Sequence, residues 1–267
     1  MINIGEMIQK VKSEGYSETM AQAKVCQDII LILISKANFH NNITVKGGVV
    51  MRSISNNVRR ATQDIDIDFI KYSLQNDSII AIINRLNSLG IVSIKINGEI
   101  EELKQQDYHG KRVYVTIHDN YNNSLSSKMD LGVHKNLDIL QEEYCFDVCA
   151  DDVTVSLLIN SKEQMLVEKL RSILVFGPFS TRFKDIYDIY YLSKTTDKKK
   201  LCKALDVMVF SDVNMKENSI DDIINRVELT FKNKIYLKNL STSRKNWLNI
   251  DNENVIDGII KFLYDLK

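Results

Sequence analysis

Over residues 62–70 the chain reads "TQDIDIDFI", with apolar and acidic positions in strict alternation. Successive side chains of a strand point to opposite faces, so Ile65, Ile67 and Phe69 can enter a core while Asp64, Asp66 and Asp68 share the other face. The pattern predicts a β-strand built from a residue that strands disfavour. Same-face neighbours lie about 7 Å apart, and carboxylates that close repel one another unless a cation or a base sits among them. Magnesium suits such a face, because it takes hard oxygen ligands and leaves places for water and substrate phosphates. A solvated outer face is the plain structural alternative. A calcium loop of the EF-hand type is not, because it needs glycine at its sixth position and glutamate at its twelfth, where counting from Asp64 gives Phe69 and Gln75.

The same periodicities organise the rest of the chain. Residues 18–39 carry Ala21, Val25, Ile29, Ile32 and Leu33 about one turn apart, which predicts a helix. A short strand, "ITVKG", runs into a helix that opens "GGVVMRSIS". After the aspartate strand, "SIIAIINRLNSLG" has helical spacing and ends on Gly90, a C-cap candidate. Four strand-like runs follow: "IVSIKI", "KRVYVTIHD", "SSKMDLGV" and "EEYCFDV". Beyond about Val155 the signals turn helical almost to the end, in "KEQMLVEKLRSILVF", "TRFKDIYDIYYLSK", "SIDDIINRVELTF" and "NVIDGIIKFLYDL". The expectation is an α+β protein: a mixed β-sheet with helices over residues 1–155, then a mainly helical region over 156–267.

Composition narrows the function. The 267 residues are 44% hydrophobic and 26% charged, as in an ordinary globular protein with a real core. Lysine plus arginine equals aspartate plus glutamate, 35 against 35, so any nucleic-acid contact must come from a local patch. The lysines at 198–200 read as a solvated helix start, and Trp247 as a packing anchor. Cys26, Cys145, Cys149 and Cys202 form no C-x-x-C pair, and His40, His109, His118 and His134 do not join them at zinc spacing. Reduced thiols in a cytoplasmic protein are expected. The apolar run "IILILI" is too short to span a bilayer and lacks a cleavage site, so no membrane partner is expected.

Candidate chemistry follows from the order of these features. Gly47 and Gly48, between a strand and a helix, allow a tight turn and close approach of a ligand to free helix amides, a seat for phosphate; a simple turn is the alternative. Asp130 alternates with Met129 and Leu131, so it too can project from a sheet face. Two adjacent-face aspartates and a third from a neighbouring strand would make a two-metal site. Further on, Asp185 and Asp188 lie three apart, on one side of a helix.

"VKGGVVMR" followed by "RRATQDIDIDF" resembles the first motif of the AbiEii/AbiGii nucleotidyltransferase toxins, in the DNA polymerase β-like superfamily. "SKEQMLVEKLRSILVFGPFSTRFKDIYDIYYL" is similar to that family's later stretch, and the two blocks cover most of the first 195 residues. The resemblance implies a polymerase β-like nucleotidyltransferase core over residues 1–155 and a helical region over 156–267 that completes the site and binds the acceptor. It also implies a Mg²⁺- or Mn²⁺-dependent transfer of a nucleoside monophosphate from an NTP to an acceptor hydroxyl, with release of pyrophosphate. The implied setting is a toxin of a toxin–antitoxin or phage abortive-infection pair, with RNA, tRNA among the candidates, as acceptor and an antitoxin or regulator encoded nearby.

Carried over residue by residue, Gly47 and Gly48 match the phosphate turn, Asp64 and Asp66 the paired metal ligands, and Asp130 the third carboxylate. Lys169 matches the lysine that faces the nucleotide phosphates. Asp185 and Asp188 match the last motif, with Arg182 as support and one of the two aspartates orienting Lys169. Lys194, Lys198, Lys199, Lys203 and Arg226 become candidate phosphate contacts for the acceptor. The chain departs from the family at Val49, where a small or hydroxyl residue is usual, so Arg52, Arg59, Arg60 or Thr62 would have to compensate. Asp68 is an extra carboxylate with no assigned role. Two rival readings stay open: an inactive nucleotide- or antitoxin-binding module, motivated by Val49, and a metal-dependent phosphodiesterase using water as nucleophile.

Overall fold

The aspartate strand lies inside the sheet, with a neighbour on each side. The computed structural model describes residues 2–103 and 110–267, and His109 lies outside them. Among the described residues the strands are β1 (Ile43–Lys46), β2 (Ile65–Phe69), β3 (Ser93–Ile96), β4 (Glu101–Leu103), β5 (Gly110–His118), β6 (Ser124–Val133), β7 (Glu142–Phe146) and β8 (Val155–Ile159). They form one sheet in the order β3-β5-β6-β2-β1-β8-β7, with β4 also paired to β5. The sheet is mixed: β2 runs parallel to β6 and β1 parallel to β8, while the β1–β2, β5–β6 and β7–β8 pairs are antiparallel.

Strand β8 corrects the expectation that helical structure begins near Val155. "VSLLI" is a short apolar run whose periodicity cannot separate a buried strand from a helix start. Pairing with β1 and β7 decides it. The chain divides into two compact units, Met1–Leu137 with Gln141–Asn160, and Asp138–Leu140 with Ser161–Lys267.

In the first unit α1 (Ile4–Ser13), which the apolar pattern left unassigned, buries Ile4, Met7 and Val11 along one stripe, and its N-cap Asn3 accepts the Glu6 N–H. Helix α2 (Glu18–Lys36) is buried almost all round from Lys24 to Ile34, as befits a helix packed on α1 and the sheet. Helix α3 (Gly47–Ser55) follows β1 directly and buries Val49, Val50 and Met51. Helix α4 (Asn76–Asn87) packs on β3 through a face that includes Ile83. Its C-cap is Ser88, and Gly90 takes its left-handed φ of 66° two residues later.

The second unit contains α5 (Lys162–Phe176), α6 (Phe183–Ser193), α7 (Lys198–Leu205), α8 (Ile220–Phe231), α9 (Lys234–Thr242) and α10 (Asn252–Tyr264). Sequence punctuates them plainly: Ser161, Asp197, Ser219, Asn233 and Asp251 each sit at an N-cap and accept a backbone N–H with the side chain. The lysines at 198–200 form the exposed start of α7, as expected of a solvated charge run. Among the described residues no helix is long and apolar enough to cross a membrane.

Gly258 of α10 sets how closely Tyr190 of α6 can pack: a Cβ there would lie 2.3 Å from the ring's Cε2. Gly258→Ala should therefore lower stability by about 1 kcal/mol net, because overpacking of ~1–3 kcal/mol exceeds the ~1 kcal/mol that alanine gains in a helix. Thermal unfolding of the variant checks this. An unchanged or raised Tm would mean that the ring yields freely.

Candidate active site

Sheet register gathers the first-unit carboxylates. Asp66 on β2 pairs with Lys46 of β1 on one side and with Asp130 of β6 on the other, and Asp130 in turn pairs with Arg112 of β5. Residues directly paired across a sheet project to the same face, so Arg112, Asp130, Asp66 and Lys46 make one row across four strands. Lys128 and Asp64 flank this row, with the Lys128 ammonium 3.2 Å from Asp64 Oδ1. Arg112 donates two hydrogen bonds to Asp130, 2.7 Å from Nε and 2.8 Å from Nη2. Its bonding to Asp130 holds the guanidinium still more firmly in its charged form. Lys46 reaches along the sheet to Asp68, 2.7 Å away, which gives the unassigned carboxylate a defined partner.

Asp66 is treated differently from its neighbours. Burial pushes its carboxyl above the ordinary carboxylate range; Lys46 and the Gly48 N–H oppose this, while Asp130 and Asp64 reinforce it. The amide at the start of α3, expected as a phosphate seat, thus already donates to a carboxylate. The glycines are required by the same contact. Gly47 has φ of 66°, and a Cβ there would lie 2.2 Å from Asp66 Oδ2. A Cβ on Gly48 would come within 2.6 Å of Thr62 Cβ and Oγ1.

The residues expected to compensate for Val49 lie in different environments. Val49 is itself fully buried and carries no hydroxyl. Arg60 is buried within a single 3-10 turn, Val58–Arg60, and Arg59 is exposed. Arg52 is turned into the core, where it donates to Gln27 Oε1 at 2.9 Å and pairs with Asp28 at 3.4 Å. Asp28 also holds Lys24 at 2.6 Å and accepts the Cys149 N–H at 2.9 Å. Gln27 completes the chain of contacts by donating to the carbonyl oxygens of Thr62, at 2.9 Å, and Asp64, at 3.2 Å. Fully buried Gln27 therefore fixes the backbone that leads into the aspartate strand. Sequence reasoning missed it, because a glutamine within an apolar helix carries no motif; its position one turn before Ile30 and Leu31 was the available signal.

In the second unit Lys169 on α5 lies between two carboxylates of α6, 3.0 Å from Asp185 and 2.7 Å from Asp188. Arg182 pairs with Asp185 at 3.0 Å. Asp188, fully buried, also accepts the Trp247 indole N–H at 3.0 Å, so Trp247 is the anchor its sequence context suggested. Both aspartates hold the lysine, where the resemblance implied that one would. Arg226 donates to the carbonyl of Leu174 at 3.0 Å, near the C-terminus of α5, and Lys194 lies over the Tyr190 ring at 4.1 Å.

The donor set of the first unit fits a divalent cation such as Mg²⁺ or Mn²⁺: hard carboxylate oxygens on one sheet face, with Asp66 between Asp130 on the neighbouring strand and Asp64. Among the described residues no three His, Cys, Asp or Glu side chains are grouped to hold a metal ion, and Asp64 and Asp130 are turned to their own cations. A magnesium site that draws on one or two carboxylates plus water and substrate phosphates does not need such a group.

Carboxylates on neighbouring parallel strands beside a glycine turn into a helix belong to the nucleotidyltransferase class, and the sequence places the chain more narrowly. Residues 29–248 match the family described as nucleotidyl transferase AbiEii toxin, type IV toxin–antitoxin system, and the chain belongs to that family. No curated protein matches it. Among solved structures, an antigenic nucleotidyltransferase-like protein from Paracoccidioides brasiliensis aligns over 82% of this chain and 92% of its own, at 13% identity and a TM-score of 0.47. The family assignment rests on the sequence match.

Two substitutions test this geometry. A carboxyl with a raised folded-state pKa binds its proton more tightly folded than unfolded, so stability falls as pH rises through the window above the ordinary carboxylate value, and the cost persists beyond it. Asp66→Asn should therefore unfold at a higher temperature than the unaltered protein at neutral pH. The two melting curves should converge in acid, below the ordinary carboxylate range. Lys169→Met strands two buried carboxylates, and denaturant titration should show a loss of about 3–5 kcal/mol. Adding Asp185→Asn and Asp188→Asn to it should recover part of that loss.

Proposed function

We propose that this protein is a divalent-metal-dependent nucleotidyltransferase, using Mg²⁺ or Mn²⁺, that moves a nucleoside monophosphate from an NTP to a hydroxyl of an RNA acceptor and releases pyrophosphate. It would act as the toxin partner of an antitoxin or regulator encoded nearby. The observation that carries the reading is the pairing of Asp66 with Asp130 on adjacent parallel strands, directly beside the Gly47–Gly48 turn.

Asp66 would hold the metal, joined by Asp64 and Asp130 once these turn from Lys128 and Arg112, and the metal when bound stabilises charge on the phosphoryl oxygens and lowers the pKa of the attacking hydroxyl. The protein's own part is positioning. Gly47 and Gly48 let the Asp66 carboxylate and Thr62 pack directly against the start of α3, which sets Asp66 at the helix end where phosphate would approach. Asp130 would orient the acceptor hydroxyl and take up its proton. Gln27 and Arg52 hold the segment between Thr62 and Asp64 in register with the sheet, which keeps Asp64 beside Asp66.

Incubating the purified protein with Mg²⁺, total RNA and each of the four α-³²P NTPs, beside the Asp66→Asn variant, tests the proposal. Label should enter a discrete RNA species with the unaltered protein and fall at least about 100-fold with the variant, the scale of losing a principal electrostatic contribution. NTP binding without label in RNA or in the protein would favour a binding module. Phosphodiester hydrolysis without transfer would favour the phosphodiesterase.

A further inference from the structure

Around Asp66 the carboxylate face carries Asp64, Asp68 and Asp130 beside Lys46, Lys128 and Arg112. The three ion pairs differ in their access to water. Lys46 and Asp68 are 14% and 6% exposed. Lys128 and Asp64 are 33% and 34% exposed, and Arg112 and Asp130 are 26% and 12% exposed.

A closed pair is costly to part, because each charge is left in a poor dielectric, whereas a pair in contact with water changes partners readily. Lys46–Asp68 is therefore the fixed pair. It holds the Lys46 ammonium at Asp68, from where its charge still acts on Asp66, its neighbour in the register. The two open pairs cover Asp64 and Asp130, the carboxylates assigned to the metal beside Asp66. The Lys128–Asp64 contact is also the longer of the two lysine pairs, 3.2 Å against 2.7 Å for Lys46–Asp68.

We propose that Lys128 and Arg112 are displaceable counter-ions. They neutralise Asp64 and Asp130 while no divalent cation is present, and they turn to the phosphates of the incoming nucleoside triphosphate once a cation takes those carboxylates. This rests on the nucleotidyltransferase reading and adds two phosphate-binding residues to it. The chemistry suits both partners. A guanidinium fork that matches a carboxylate matches a phosphate equally well, and Lys128 serves as a mobile point charge. The exchange would also serve the triphosphate, since the cations released from Asp64 and Asp130 are left facing the phosphates that arrive with the metal.

Metal and side-chain cations then compete for the same oxygens, so removing a cation has opposite effects on the two ligands. Arg112→Gln and Lys128→Gln in the full chain test this, with Lys111→Gln as control, because Lys111 pairs with Glu102 at 2.9 Å. Mn²⁺ binding without nucleotide is read by electron paramagnetic resonance. Binding of a non-hydrolysable α,β-methylene NTP with Mg²⁺ is read by calorimetry.

Each variant should bind Mn²⁺ several-fold more tightly and the analogue about tenfold more weakly, the scale of one lost charge-assisted contact. The control should change neither. Lys128→Gln, at the more exposed pair, carries the test alone if Arg112→Gln does not fold. If the unaltered protein binds both ligands and the variants match it, or bind both more weakly, the counter-ion inference fails and the function stands. If the unaltered protein binds neither Mn²⁺ nor the analogue, the nucleotidyltransferase reading fails, and this inference with it.

Discussion

The contact between the Asp66 carboxylate and the Gly47–Gly48 turn constrains everything around it. A Cβ on Gly47 would overlap Asp66 Oδ2, and the turn also needs a left-handed φ, so two independent reasons demand glycine at one position. Because the Gly48 amide donates to the same carboxylate, β1, α3 and β2 are tied together at one point. Glycines that look like a phosphate device in sequence are, in this arrangement, equally a device for bringing a carboxylate against a helix start.

Around that point the protein uses buried polar groups where apolar ones would pack as well. The Lys24, Asp28, Arg52 and Gln27 network takes charges out of water, which brings little net stability by itself. What it adds is direction: Gln27 holds two successive acceptors of the segment before β2, and a hydrocarbon side chain could hold neither. The Lys169, Asp185, Asp188 and Trp247 network joins α5, α6 and the segment before α10 within the second unit in the same manner. In both units, residues of opposite charge that sequence would score as surface are interior ties.

The carboxylate face shows how four aspartates are held close together in a folded sheet. Each acidic side chain that flanks Asp66 has a basic partner on the sheet, so repulsion is contained at Asp66 alone. The same pairing explains why so acidic a strand is tolerated within a sheet despite its poor propensity. Membership in the AbiEii toxin family gives the face its biological setting, and the ion pairs give it a resting state.

Local pattern determined much of this protein. Period-two alternation marks β2, β5 and β6, helical periodicity marks α2, α5, α6, α8 and α10, and motif order points to the aspartates and the glycine turn. These signals are written within a few residues of the groups they describe. Pattern failed at β8, because a five-residue, mostly apolar run is too short to show a period of its own, and at Gln27, because its function depends on carbonyls 35 and 37 residues away. The partners of Arg52, Arg226, Lys128 and Lys46 were equally out of reach: charge is visible in a sequence, but which opposite charge it meets is fixed by strand register and helix packing. Only the tertiary structure decides those pairings, since electrostatic energy depends on distances in space that chain separation does not encode.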